Sequence, residues 1–159
     1  MAALFADCVP LYFIDPVHKA VGLAHAGWKG TSQQIARRTV EAMAQAFGSK
    51  PAELYAAIGP SIGVCCYEVD DRVTGSITAQ TGLQGEPFFH PGSASEGKIM
   101  LNLQEINRKI MIEAGILPHR IEMTKLCTSC AVSRFFSHRK ENGRTGRMAA
   151  WIGWVSQSG

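Results

Sequence analysis

Cys8 and His25 are the side chains whose types and settings best suit chemistry. Cys8 lies in Ala6-Asp7-Cys8-Val9-Pro10. His25 closes an apolar run and opens His25-Ala26-Gly27-Trp28-Lys29-Gly30-Thr31. A thiolate and a neutral imidazole at the edges of buried strands are raw material for a zinc site or a Cys/His nucleophilic pair. Their spacing matches no zinc motif by itself. A cysteine packed as a small hydrophobe beside a carbonyl-bonded histidine satisfies the same pattern.

Three further groups stand out. Cys65 and Cys66 are adjacent, so both facing one metal is difficult, and packing at a strand edge is the plainer expectation. Cys127-Thr128-Ser129-Cys130 has the spacing of half a zinc knuckle or of a redox dithiol. No second C-x-x-C accompanies it, which argues against a structural zinc. Phe136-Ser137-His138-Arg139-Lys140 runs into Asn142-Gly143-Arg144-Thr145-Gly146-Arg147, where basic groups around glycine turns suit a phosphate or another small anion. A solvated basic hairpin is the simpler alternative. Gly59-Pro60-Ser61-Ile62-Gly63 is either a plain turn or a backbone cradle for an anion.

The bulk composition limits the partners. The chain has 159 residues, 46% hydrophobic and 18% charged, which suits one domain with its own core. A net charge of +3 is too mild and too dispersed for a nucleic-acid stripe. Five cysteines are an odd number in a chain too long to be a small disulfide scaffold, so a reducing cytoplasm is the expected setting. Asp7, Asp15, His18 and Lys19 interrupt the apolar start, so it reads as neither a membrane span nor an export signal.

The elements that must position these groups alternate. Leu11 to Ile14 and Ala20 to Ala24 read as neighbouring central strands. Thr31 with Gln34 forms a capping-box pattern opening a helix to Phe47, with Ile35, Val40, Met43, Ala44 and Phe47 along its apolar face. Leu54 to Ile58 is a strand. Asp70 or Asp71 caps a helix towards Ala79, and Asn102 with Glu105 caps another that carries Ile106, Ile110 and Met111 to Gly115. Thr81 to Lys98 reads as mostly loop, Ile121 to Met123 as a strand, and Arg147 to Trp154 as the last strand. The pattern predicts one α/β domain with a mixed sheet.

The ordered set of motifs is more specific than any one of them. Ala6-Asp7-Cys8-Val9-Pro10, His25-Ala26-Gly27-Trp28-Lys29-Gly30, Ile58 to Gly63 with Cys65-Cys66-Tyr67-Glu68-Val69, Cys127-Thr128, Phe136-Ser137-His138-Arg139 and Gly146-Arg147 follow in that order. The chain closely resembles the multicopper polyphenol oxidase, or laccase-domain, family, whose members are mostly described as purine nucleoside phosphorylases. The resemblance covers about Phe5 to Trp154. It departs at Phe5, where threonine is usual, at Lys29, where arginine is more common, and at His138, where tyrosine is frequent.

The resemblance implies a four-layer α/β/β/α sandwich with mixed sheets. It implies a metal held by two histidines and one cysteine, of which Cys8 and His25 are two. The first histidine of that set precedes the Ala6-Asp7-Cys8 motif in the family, and the chain reads as a member truncated at its N-terminus, with no segment to supply it.

The implied activity is zinc-dependent phosphorolysis of adenosine, inosine or methylthioadenosine, with deamination of adenosine. A metal that lowers the pKa of its water to about 7 suits the deamination. Lys29, Arg139, Arg144 and Arg147 would supply the phosphate site. The partners are then a purine nucleoside and phosphate, with no nucleic acid and no membrane, in a monomer or homodimer. The alternatives are a copper-dependent oxidase of phenols, a Cys/His hydrolase editing peptidoglycan precursors, and a non-catalytic fragment that binds through an exposed edge.

Overall fold

Val9, Leu11 and Phe13 are fully buried while Tyr12 and Ile14 face outward, a period of two that marks a strand with one covered face. The computed structural model describes residues 1–92 and 97–155. In it β1 (Ala2–Phe5) precedes β2 (Val9–Asp15) and β3 (Ala20–Ala26). β4 (Tyr55–Ile58), β5 (Glu68–Val69), β6 (Phe89–Pro91), β7 (Ile99–Leu101), β8 (Ile121–Met123) and β9 (Met148–Trp151) follow. The helices are α1 (Trp28–Ser32), α2 (Ile35–Phe47), α3 (Asp71–Thr81) and α4 (Leu103–Glu113).

The main sheet has the order β3-β2-β4-β8. β2 pairs antiparallel with β3, from Val9 opposite Ala26 to Asp15 opposite Ala20. β4 is antiparallel to β2, and β8 is parallel to β4. The expected pairing of the first two long strands holds, but β3 lies at the sheet edge and only β2 is central. β1 and β9 form an antiparallel ribbon, and β5-β7-β6 form a small antiparallel sheet. The expected α/β class with a mixed sheet is the observed one.

Helices α2 and α4 share one core with the main sheet through Ala36, Val40, Met43, Ile106, Ile110 and Met111. Gly22 on β3 permits the close approach of α2, since a Cβ there would lie 2.9 Å from the Met43 sulfur. Phe47, expected on the apolar face, is half exposed at the helix end. Asp70 and Asn102 cap α3 and α4 by accepting from the Val73 and Glu105 N–H groups. α4 ends at Glu113, ahead of Gly115.

A further expectation fails at the helix after β3. The helix predicted to start at Thr31 is broken in two, because Gln34 takes a left-handed conformation with φ of 54°. Thr31 is no cap. It is buried in α1, where its hydroxyl accepts from Asn107 Nδ2 of α4 at 2.9 Å. The stretch from Thr81 to Lys98, read as mostly loop, is so among the described residues, with the three-residue β6 inside it. Its residues 93–96 lie outside the described residues. Among those described, no helix is long and apolar enough to cross a membrane.

The β2–β3 turn depends on a buried acid. Asp15 accepts from the Val17 and His18 N–H groups at 2.9 and 3.1 Å and from His18 Nδ1 at 2.8 Å. Burial raises its pKa, but these bonds outweigh burial and hold it at about 2. A depressed pKa contributes stability above the ordinary aspartate value and loses it as pH falls through the folded value. Asp15→Asn is therefore expected to cost about 1–3 kcal/mol at pH 7. The gap from the parent should shrink between about pH 4 and pH 2. Urea unfolding of both chains across that range checks it, and a gap unchanged with pH would refute it.

Candidate functional site

The turn between β1 and β2 is held by its own acid. Asp7 is buried and sits in the left-handed region with φ of 76°. Its carboxylate accepts from the Thr128 hydroxyl at 2.7 Å and from the Arg139 backbone N–H at 2.7 Å. Its carbonyl accepts from the Ile62 N–H at 2.8 Å. One residue thus ties β1–β2 to three distant segments and presents Cys8 next along the chain. No role for Asp7 is legible in the sequence beyond its place in the motif. The signal that could have pointed to it is an acid immediately before a buried strand.

Across the sheet, Cys8 faces the end of β3. A Cβ on Gly27 would lie 2.9 Å from the Cys8 sulfur, so glycine at this position leaves room for the thiol. His25 is opposite Pro10 in the register, and its ring stacks on Phe5 at 4.4 Å between centroids. Phe5, one of the departures from the family pattern, thereby fixes the imidazole plane.

Cys8, His25, Arg139, Arg147, His138 and Tyr67 line one open cavity of about 440 Å³, with Trp28 and Asp7 on its wall. Lys29 lines an adjoining, largely apolar cavity of about 240 Å³ with Cys8, Trp28 and Tyr67. Four of the sequence-predicted residues, Cys8, His25, Arg139 and Arg147, therefore share one cavity, and Lys29 borders the next. Arg144 is not brought to either. It is exposed on the following turn, its N–H donating to the Glu141 carbonyl. His138, which nothing in the sequence places near Cys8, is on the same wall.

The cationic side is built to stay put. Arg139 lies over the Tyr67 ring at 5.1 Å and donates to the Glu68 carbonyl at 2.7 Å. Arg147 donates to the Thr145 and Gly146 carbonyls. Glu141 accepts from the Ser137 N–H and the Thr145 hydroxyl, which closes the loop carrying both arginines. Lys29 and Arg72 flank Trp28 at 5.6 and 5.7 Å from its ring.

Burial pushes the Cys8 thiol up, Asp7 adds to the rise, and Arg147 opposes it. Partial burial pulls His25 down, so its imidazole is neutral at pH 7. Burial raises Tyr67 to about 12 against the opposing Arg139, so it is a neutral donor. A neutral histidine suits metal ligation, while the thiol must lose a proton to ligate. Catalytic zinc takes three protein ligands. Among the described residues, no third His, Cys, Asp or Glu converges on Cys8 and His25 closely enough to complete such a set.

The convergent set is elsewhere. The sulfurs of Cys65, Cys66, Cys127 and Cys130 all lie within 4.8 Å of one another. Both Cys65 and Cys66 approach Cys130, each at 3.5 Å. The expectation that adjacent cysteines simply pack at a strand edge is thus overturned. The partner of the C-x-x-C is the adjacent pair, brought in from another part of the chain. The Gly59–Gly63 loop is likewise no anion cradle, because its N–H groups are engaged. Gly59, Ser61 and Ile62 donate to the Pro10, Leu126 and Asp7 carbonyls, and Gly63 to the Cys127 sulfur at 3.2 Å.

The multi-copper polyphenol oxidoreductase laccase family matches residues 1–155 of this sequence. The chain belongs to that family. Purine nucleoside phosphorylase YlmD of Bacillus subtilis is 44% identical over 153 residues, covering 96% of this chain and 54% of the relative. The human purine nucleoside phosphorylase LACC1 is 34% identical over 156 residues, 96% of this chain and 35% of that one. The crystal structure of YlmD from Geobacillus stearothermophilus superposes with a TM-score of 0.87 at 45% identity, over 96% of this chain and 56% of that structure. This laccase-family chain therefore spans about half the length of the bacterial relatives it matches.

The field on Cys8 is open to test in chelator-treated protein. Asp7→Asn tolerates the left-handed backbone and removes the negative charge that raises the thiol, so Cys8 should alkylate with a lower midpoint pH than in the parent. Arg147→Gln should move the midpoint the other way. Peptide-resolved mass spectrometry after iodoacetamide treatment checks both directions, and equal midpoints in all three chains would contradict this electrostatic account.

Proposed function

We propose that this chain binds a purine nucleoside and phosphate in the Cys8–Arg139 cavity, as part of a purine nucleoside phosphorylase. The observation that carries the reading is the meeting of Arg139 and Arg147 with Cys8, His25 and the aromatic groups Tyr67 and Trp28 around one cavity. Its volume of about 440 Å³ is within the usual range for small-molecule sites. The names of the relatives, purine nucleoside phosphorylases in bacteria and human, support the same substrate class.

In phosphorolysis a phosphate oxygen forms a bond to the ribose C1′ while the C1′ bond to the purine nitrogen breaks. The departing purine nitrogen takes up a proton. Arg139 and Arg147 have the charge to hold the phosphate, and guanidinium groups suit its oxygens by paired hydrogen bonds. Each arginine already has a carbonyl partner, which narrows the orientations of its guanidinium before substrate arrives. Trp28 and Tyr67 offer flat surfaces for the base. Tyr67, kept protonated by burial, lines the same wall.

Cys8 and His25 suit a metal as two of its ligands, with zinc the metal we propose. The third ligand then comes from outside the described residues or from another chain. When bound, zinc would polarise an oxygen or a bound water, the chemistry that the deamination of adenosine also needs. The reaction setting proposed is the reducing cytoplasm, which keeps the thiols free.

The test is incubation of the purified chain with zinc, adenosine and phosphate, with products separated by chromatography. Phosphate-dependent adenine is the expected product, and inosine would report deamination. Cys8→Ala should abolish both. Arg139→Ala keeps the backbone N–H that Asp7 holds, and should raise the phosphate KM about tenfold to a hundredfold with little change for the nucleoside. Full activity in Cys8→Ala, or an unchanged phosphate KM in Arg139→Ala, would overturn the reading.

A further inference from the structure

We propose that Cys65, Cys66, Cys127 and Cys130 hold one zinc ion in a closed four-thiolate site, separate from the Cys8–His25 cavity, that clamps the Gly59–Cys66 loop to the Cys127–Cys130 turn. The inference is independent of the activity proposed above.

The topology makes the site. β4 and β8 are adjacent parallel strands, and the chain leaves both at the same end. The pairing continues past them as Ser61 opposite Cys127, with the Ser61 N–H donating to the Leu126 carbonyl and the Thr128 N–H to the Ser61 carbonyl. The two exits thus run side by side and bring four cysteines to one point. Each exit then turns tightly. Cys66 and Tyr67 N–H groups donate to the Gly63 carbonyl, and the Ala131 N–H donates to the Cys127 carbonyl.

The geometry fits one tetrahedral ion. Zinc–sulfur bonds of about 2.3 Å place the four sulfurs of a tetrahedron about 3.8 Å apart. The observed separations, 3.5 Å for two pairs and all within 4.8 Å, bracket that edge. A disulfide needs sulfurs about 2.05 Å apart, and none of the five cysteines is so paired. An iron–sulfur cluster, whose cysteines reach around bridging sulfides, would spread the sulfurs more widely. Four thiolates and no open position mark a structural site for a soft, tetrahedral ion.

The outer shell is also in place. The Gly63 N–H donates to the Cys127 sulfur at 3.2 Å, the kind of bond that steadies a metal thiolate. A side chain at Gly63 would crowd the site, its Cβ lying 3.1 Å from the Cys127 Cβ and 3.3 Å from the Cys65 sulfur. Thr128, between two of the ligands, donates to Asp7, and Ile62 in the facing loop donates to the Asp7 carbonyl. An ion that locks the two loops therefore also steadies the turn that presents Cys8.

The full chain, expressed with zinc and purified under reducing conditions without chelator, should carry zinc by elemental analysis. The Cys8→Ala/His25→Ala chain should retain about one equivalent. The Cys65→Ser/Cys130→Ser chain, altered at the two exposed ligands, should lose that equivalent. In case this double variant folds poorly, the Cys8→Ala/His25→Ala chain loaded with cobalt(II) gives a second readout. Intense thiolate-to-cobalt charge transfer and tetrahedral d–d bands are expected, and both should disappear when a mercurial titrates the thiols. A folded parent chain without metal and with free thiols would overturn the proposal. So would a disulfide from Cys130 to Cys65 or Cys66, or zinc that survives in Cys65→Ser/Cys130→Ser and vanishes with Cys8 and His25.

Discussion

The carboxylate of Asp7 is the constraint on which the site depends. A buried acid must have its lone pairs filled, and here a hydroxyl from one loop and a backbone N–H from another fill them. Because both bonds go to a charged acceptor, each is stronger than a neutral pair. The residue also holds a left-handed backbone angle, which turns the chain sharply from β1 into β2 and leaves Cys8 facing the end of β3. Arg139 enters the same arrangement twice. Its N–H is bound by Asp7, and its guanidinium is placed over Tyr67. The cationic side of the cavity and its thiol are thus oriented by one residue.

A second layer of order comes from the parallel strands β4 and β8. A parallel pair sends both chains out at the same end, where open α/β sheets commonly place their ligands. Here the two exits carry the loop from Gly59 and the turn from Cys127. Gln104 of α4 braces them from behind, donating to the Ser61 hydroxyl at 2.8 Å and to the Leu126 carbonyl at 3.3 Å. Asn107 on the same helix reaches Thr31 of α1. Two polar residues of α4, Gln104 and Asn107, are therefore buried and occupied in joining the segments that surround the site, while its apolar residues belong to the core.

The cavity combines neutral groups with fixed positive charge. Burial favours the uncharged forms of His25, the Cys8 thiol and the Tyr67 hydroxyl in the metal-free chain. Arg139 and Arg147 are the charged groups opposite them. Among the described residues lining the space, an anion meets Arg139 and Arg147 and, of the carboxylates, only Asp7, whose oxygens are already engaged. That arrangement suits a negatively charged substrate beside a neutral, flat one.

The sequence by itself determined the alternation of strands and helices, the cap at Asn102 and, as one of two candidates, that at Asp70, and the ordered motifs that mark the family. These rest on periodicity and on local hydrogen bonds, which act over a few residues. It also pointed to Cys8, His25, Arg139 and Arg147, because reactive and basic side chains at turns are visible one by one. The tertiary structure alone decided which of them meet. It left Arg144 outside, brought His138 in, broke the helix at Gln34 and turned Thr31 from a cap into a buried partner of Asn107. It also joined Cys65 and Cys66 to a C-x-x-C far along the chain. Those outcomes depend on the register of β2 against β3 and on the parallel pairing of β4 with β8, contacts between residues too distant in sequence for any local pattern to record.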